Sequence, residues 1–184
     1  MFIIYYVDEI GETSLKDSRT DIKKVYIAND DKNIYVRINN AAGNLNGFNS
    51  NDKFKTTVYC ENFGKNTNTT QKTMDGTQMG RNMAYAFTRT SSEDSFDKYT
   101  VNGSNWIKSG SVSGVIAPQW DPLTGGIEVV IPRSEIGNSA DDSWGHIDVV
   151  LSQNSKNSWS DQDVVRLNYR LTSGNEAWLL ADFE

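Results

Sequence analysis

A two-residue rhythm limits what this chain can fold into more than any other feature of its sequence. In "NIYVRIN" the apolar residues Ile34, Val36 and Ile38 alternate with Tyr35, Arg37 and Asn39. Successive side chains of a strand point to opposite faces, so this pattern marks a strand with one buried side. "FKTTVYC" repeats it, with Phe54, Thr56, Val58 and Cys60 on one side and Lys55, Thr57 and Tyr59 on the other, outward side. "MAYAFTR", "KYTV", "SVSGVIA", "IEVVIP", "IDVVLS" and "VVRLNYRL" add further strands, and the opening "MFIIYYVD" alternates in the same way. Only 37% of the 184 residues are hydrophobic, which suits two layers of strands that each bury alternate residues. The expected fold is all-β: a single antiparallel β-sandwich, jelly-roll-like, of about ten strands with little helix. Residues 1–184 form one module in this reading.

The intervening segments have turn chemistry. "NDDKN" closes a hairpin, because Asn and Asp tolerate the backbone of tight turns, and "DPLTGG" (121–126) reads as another reversal. "NNAAGNLNGFNSND", "NFGKNTNTTQKTMDGTQMGRN" and "SQNSKNSWSDQD" read as polar loops, long enough for some to carry function. "PRSEIGNSADDSW" has room for one helical turn after Pro132, with Ser134 as its cap.

Charge and composition remove several classes of partner. The formal net charge is -6 and the isoelectric point is near 4.8. Lys23-Lys24 is the only basic cluster, so neither nucleic acid nor an anionic membrane is an expected partner. Neutral polar ligands remain, sugars foremost. Cys60 is the single cysteine, which fits the cytosol and also bacterial exported proteins that make little use of disulfides. The opening "MFIIYYV" lacks a basic leader region and a cleavage site, and is too short to span a bilayer. Met1 is expected to begin a piece of a longer multidomain protein, to whose other domains this module, itself a monomer, is tethered.

Catalytic constellations are sparse. His146 is the only histidine, and "GSVSG" (110–114) lacks the strand-to-helix turn a nucleophile elbow requires. One Cys and one His cannot dominate a zinc site. A haem would need His146 with Met74, Met79 or Met83. Paired carboxylates for glycoside hydrolysis have candidates in Asp8, Asp17, Asp21, Glu61, Glu128 and Glu176, but these read as surface acids. No catalytic residue, and no enzyme, is expected. Asp8, Asp17 and Asp21 are also the candidate ligands of a structural calcium ion, since hard oxygen donors suit it; no other cofactor is required.

Two phrases, "DIKKVYIANDDKNIYVRI" and "GGIEVVIPRSEIG", resemble the hairpin and the late strand-and-turn of β-sandwich modules in the family 9 carbohydrate-binding and DOMON-like group. The second is matched at Glu128, Ile131, Pro132, Arg133 and Ile136. The resemblance spans about residues 21–171. It implies an extracellular or cell-surface, non-catalytic module that holds a secreted glycoside hydrolase or surface protein on its polysaccharide. "YYVDEIGETSL" stands where the group has an acidic-Gly-Trp phrase, and no tryptophan here matches the group's stacking pair, so no binding residue carries over. The alternatives are a structural spacer or adhesion domain without a sugar ligand, a DOMON-like haem carrier, and a small glycosidase working through Glu128.

A pyranose has an apolar C–H face and a rim of hydroxyls, so its site pairs exposed aromatic rings with planar polar groups. Trp159 is the first choice, in a polar stretch with Gln153, Asn154, Asn157 and Asp161. Trp106 has polar neighbours but stands where a strand begins, which leans toward the core. Trp120 precedes a turn near the loops. Trp144 and Trp178 adjoin apolar runs and are expected in the core. Tyr35, Arg37 and Tyr59 form a second group, on the outward faces of strands that share one surface if they are neighbours.

Overall fold

The hairpin that opens the regular structure is set by one carboxylate. Asp30 Oδ1 accepts hydrogen bonds from the backbone N–H groups of Lys32 and Asn33, both at 2.7 Å. Its Oδ2 accepts from the Tyr35 hydroxyl at 2.7 Å. That hydroxyl, with the two backbone donors, holds the Asp30 carboxyl below its ordinary range. The turn fixes the register of the flanking strands, Asn29 opposite Ile34 and Ile27 opposite Val36.

In the computed structural model, residues 4–11, 17–43, 53–60, 72–74, 81, 83–89, 94–111, 126–136, 144–155, 158–172 and 178–181 are described. Among them are eleven strands: β1 (Ile4–Val7), β2 (Ile22–Asn29), β3 (Asn33–Asn40), β4 (Lys53–Cys60), β5 (Met83–Arg89), β6 (Asp94–Asn102), β7 (Asn105–Ser111), β8 (Gly126–Pro132), β9 (Trp144–Ser155), β10 (Ser158–Arg170) and β11 (Trp178–Ala181). The small sheet runs β1-β2-β3-β8 and the large sheet β11-β10-β9-β4-β5-β6-β7, with every pairing antiparallel. The two sheets stack as a β-sandwich, as the alternation predicts. Among the described residues only two short 3-10 turns, Ser18–Thr20 and Arg133–Glu135, interrupt the β structure. No helix among the described residues is long and apolar enough to cross a membrane.

The core lies where the inner faces meet. Val25 and Ile27 of β2, Ile34, Val36 and Ile38 of β3, and Ile127, Val129 and Ile131 of β8 come from the small sheet. They pack on Phe54 and Val58, Tyr85 and Phe87, Ile147, Val149 and Leu151, and Val165 and Leu167 of the large one. Polar ties cross between the layers at both ends. Asp163 of β10 accepts from the Ile22 backbone N–H at 2.5 Å through Oδ2, and from the Val164 N–H at 2.7 Å through Oδ1. Tyr169 donates to Asn29 Oδ1 at 2.8 Å, and Asn29 Nδ2 donates to the Thr172 carbonyl at 2.9 Å. Glu135, in the turn after β8, accepts from Tyr85 at 2.8 Å and pairs with Lys98.

Several expectations are corrected. Ser134 is exposed inside its 3-10 turn and is not the cap, a position Pro132 takes without a side-chain hydrogen bond. "SQNSKNSWSDQD" is not a loop: β9 and β10 extend through it as a hairpin, with Trp159 opposite Asn154. Its composition does not announce strands because the hairpin buries polar residues, Ser152, Gln153, Asn154, Gln162 and Asp163, where apolar ones would mark an alternation. β7 ends at Ser111, the first residue of "SVSGVIA", and the rest of that expected strand lies outside the described residues. The outward side of β4 is not a solvated surface either, since Lys55, Thr57 and Tyr59 are all buried.

Candidate functional site

The burial of that outward side points to a candidate site. On the outer face of the large sheet, Thr57, Tyr59, Ala84, Ala86, Val150 and Ser152 are all closed to solvent. A sheet face this dry must be covered, and the described residues of the cover are Lys72, Thr73, Met74 and Arg81. Each is tied down by a polar contact. The Met74 N–H donates to the Tyr59 hydroxyl at 3.0 Å, and Thr73 Oγ1 donates to Asp161 Oδ2 at 2.7 Å. The Lys72 carbonyl accepts from Trp106 Nε1 at 2.7 Å. Arg81 Nε pairs with Asp148 Oδ2 at 2.6 Å. Burial pushes the Asp148 carboxyl up to about 6, against the opposing pull of Arg81.

Trp106 sits at the edge of this cover. It belongs to β7, opposite Val101 of β6, and its ring meets Tyr59 edge-on, with centroids 5.4 Å apart and planes at 65°. The two rings come from strands with β5 and β6 between them. They meet because β5 presents small residues there: Ala84 joins Tyr59, Trp106, Tyr99 and Met74 in one apolar cluster. The indole is thus fixed by a hydrogen bond at its nitrogen and a ring contact at its flank, yet remains half-buried rather than enclosed. It lines a groove of about 370 Å³ together with Tyr99, Met74, Thr73, Lys72, Ser104 and Asn105. That size lies within the range of small-molecule sites, roughly 300–1,000 Å³. Beside the groove, Lys108 Nζ is held by Asp97 at 2.7 Å.

Trp159 lies elsewhere on the same face. Its ring is half-buried and carries the Lys55 ammonium 4.2 Å from its centroid, a cation–π contact that occupies one face of the indole. Asp161 points to the same outer side, where Ser152 donates to it at 3.0 Å. Gln153 does not: it is paired with Phe54 and Ser160 on the inward side and is buried, with no hydrogen-bond donor to its Oε1 among the described residues. A bulge between Asp161 and Asp163 explains the division of labour, because it sends Asp161 outward while Asp163 turns in toward Ile22. Asn154 is outward and buried. Asn157 and Trp120 lie outside the described residues.

The second expected group does not assemble. Tyr59 is sealed under the cover of the large sheet, whereas Tyr35 and Arg37 stand on the outer face of the small sheet, on the opposite side of the sandwich. Arg37 is opposite Glu128 there, and Tyr35 is spent on Asp30. That face also holds Tyr5 and Tyr26, 5.9 Å apart, with Lys24 Nζ 4.8 Å from the Tyr5 centroid. Trp144 is 43% exposed, not core. Trp178 lies in the edge strand β11, and its side chain is outside the described residues.

For a metal, the three N-terminal acids do not converge. Both Asp17 oxygens accept from Arg19, which holds that carboxyl low. Asp21 Oδ2 accepts from the Gly11 N–H at 2.7 Å, and the Asp8 N–H donates to the Lys23 carbonyl. Among the described residues no group of three or more His, Cys, Asp or Glu is placed to hold a metal ion. Met83 packs in the core between the sheets, while His146 alternates with Ile147 onto the outer face, so this pair does not face one haem.

The sequence shows polar neighbours around both Trp159 and Trp106, but not the Lys55 ammonium that lies over the Trp159 ring. The signal for Trp106 was present in the small residues Ala84 and Ala86, which leave room for a large ring over β5, but only strand order reveals which ring fills it.

No protein-family model matches this chain, and neither a curated protein nor a solved structure is detectably similar to it.

Proposed function

We propose that this domain is a non-catalytic carbohydrate-binding module, with the Trp106 groove as its site, and that it anchors a secreted or surface-bound parent protein to a glycan. One observation carries the reading: a tryptophan held rigidly by Lys72 and Tyr59 while part of its ring remains open to a groove. A preorganised aromatic platform costs little ordering entropy when a ligand stacks on it. Tyr99 supplies a second ring, and Ser104 and Asn105 supply hydroxyl and amide groups for the sugar rim. No bond need be made or broken. The role of the sandwich is to hold the ring still.

Co-sedimentation with insoluble polysaccharides, followed by tryptophan-emission titration with their soluble oligomers, tests this. Saturable retention with an emission change is expected, and no retention on any glycan would refute it.

A second reading, a structural spacer or adhesion domain, is favoured by a different feature. Tyr5, Val7 and Ile10, at and just beyond edge strand β1, are 57%, 54% and 57% exposed, large apolar side chains of the kind a neighbouring domain covers. It would be supported if no glycan binds and truncating those three side chains loosens the parent protein.

A further inference from the structure

The charge lining the groove narrows the ligand. We infer that the sugar taken by the Trp106 groove carries an anionic substituent, which Lys72 neutralises; this rests on the carbohydrate reading above.

The backbone of Lys72 is fixed beside the indole, because its carbonyl accepts the Trp106 Nε1–H bond at 2.7 Å. Its side chain is exposed, and its flexible stem starts at the rim of the ring. A sugar lying on Trp106 therefore lies within reach of this ammonium. Among the described residues no carboxylate pairs with it, and the described lining of the groove contains no acid. Among the described residues, the acids near the groove are already engaged. Asp97 holds Lys108 at 2.7 Å, and Asp161 accepts from Thr73 at 2.7 Å and Ser152 at 3.0 Å. The chain as a whole is anionic, at -6, so a cation with no carboxylate partner among the described residues, at the mouth of an aromatic groove, runs against the general charge.

The energetics point the same way. A neutral ring laid over the groove strips water from the Lys72 ammonium and returns only hydroxyl contacts. A carboxylate or ester anion returns a charge-assisted hydrogen bond instead. Uronates, with a carboxylate on the ring, and sulfated or phosphorylated sugars share this chemistry.

Paired oligosaccharides that differ only in charge test the inference. Trigalacturonate is compared with its methyl ester, and a sulfated trisaccharide with its unsulfated parent, by calorimetry and on a wider array of such pairs. The anionic member of at least one pair is expected to bind about three- to tenfold more tightly at low salt. The preference should shrink as salt rises, vanish in Lys72→Gln, and persist in Lys24→Gln, which removes equal charge on the opposite sheet. Which pair responds identifies the anion. Equal binding of charged and neutral partners, or a preference that survives Lys72→Gln, overturns the inference and leaves the carbohydrate reading standing. Absence of binding to every member overturns both.

Discussion

The Trp106 indole meets the Tyr59 ring edge-on at 5.4 Å although two strands of the sheet separate their backbones. Strands lie about 4.8 Å apart, so the two side chains bridge three such spacings over the small residues of β5. Tyr59 then reaches upward as well, its hydroxyl accepting the Met74 N–H. One buried tyrosine thus supports both the platform and the segment that walls the groove.

Removing only that hydroxyl separates the two roles. Tyr59→Phe keeps the ring under Trp106 and leaves the Met74 N–H without its acceptor. A loss of about 1 kcal/mol is expected, with faster amide exchange at Met74 and weaker glycan binding. Chemical denaturation and hydrogen exchange read both; unchanged exchange at Met74 would show that the contact supports nothing.

Asp163 ties the layers together through the Ile22 N–H group, its other oxygen accepting from the adjacent Val164 N–H, and is almost fully buried. Asp163→Ala leaves the Ile22 donor buried without an acceptor, and a loss of about 3 kcal/mol is expected. A change below about 0.5 kcal/mol in urea denaturation, within the scatter of ordinary surface substitutions, would contradict that role.

The Asp148 carboxyl, raised by burial to about 6 beside Arg81, gives stability a definite pH dependence. An acid raised above its ordinary value keeps its proton in the folded protein over a range where the unfolded chain has released it. Its contribution is therefore fully present below about pH 4 and is lost as the pH rises through about 6. The other charges around it, His146 and Arg166 on the same outer face, are common to both proteins when Asp148→Asn is compared with the parent. Thermal midpoints of the two should lie close at pH 4, with the parent falling relative to the variant by pH 7. The opposite trend would mean that Arg81 outweighs burial and holds the carboxyl low.

Much of the scaffold was legible in the sequence for a simple physical reason. Ile34, Val36 and Ile38, or Ile147, Val149 and Leu151, alternate because one side of each strand meets the core, and "NDDKN" closes its hairpin through the Asp30 carboxylate. The extended β9–β10 hairpin was not legible, because a strand pair that buries polar residues such as Ser152, Gln153, Asn154 and Asp163 carries no apolar rhythm. Nor was the covered face of the large sheet. Lys55, Thr57 and Tyr59 have the composition of a solvated surface, and only neighbours distant in sequence, Trp159 against Lys55 and Met74 on Tyr59, reveal them as interior. The "IPRSEIG" phrase proved to be scaffold: Ile131 and Ile136 fill the core, Arg133 donates to the Asp30 carbonyl at 3.0 Å, and Glu135 receives Tyr85. The site was only partly legible, because exposure of a ring depends on strand order and on which neighbours are small.

The most direct test sets the two tryptophans of the outer face against each other. Tryptophan-emission or calorimetric titration with a retained oligosaccharide is performed on Trp106→Ala and Trp159→Ala, each first checked for a cooperative thermal transition. Losing a stacked aromatic is worth about 1–2 kcal/mol or more, so Trp106→Ala is expected to weaken binding at least tenfold. Trp159→Ala, which removes a ring already covered by Lys55, is expected to bind within about twofold of the parent. Undiminished binding by folded Trp106→Ala, or its loss in Trp159→Ala alone, would contradict the placement of the site.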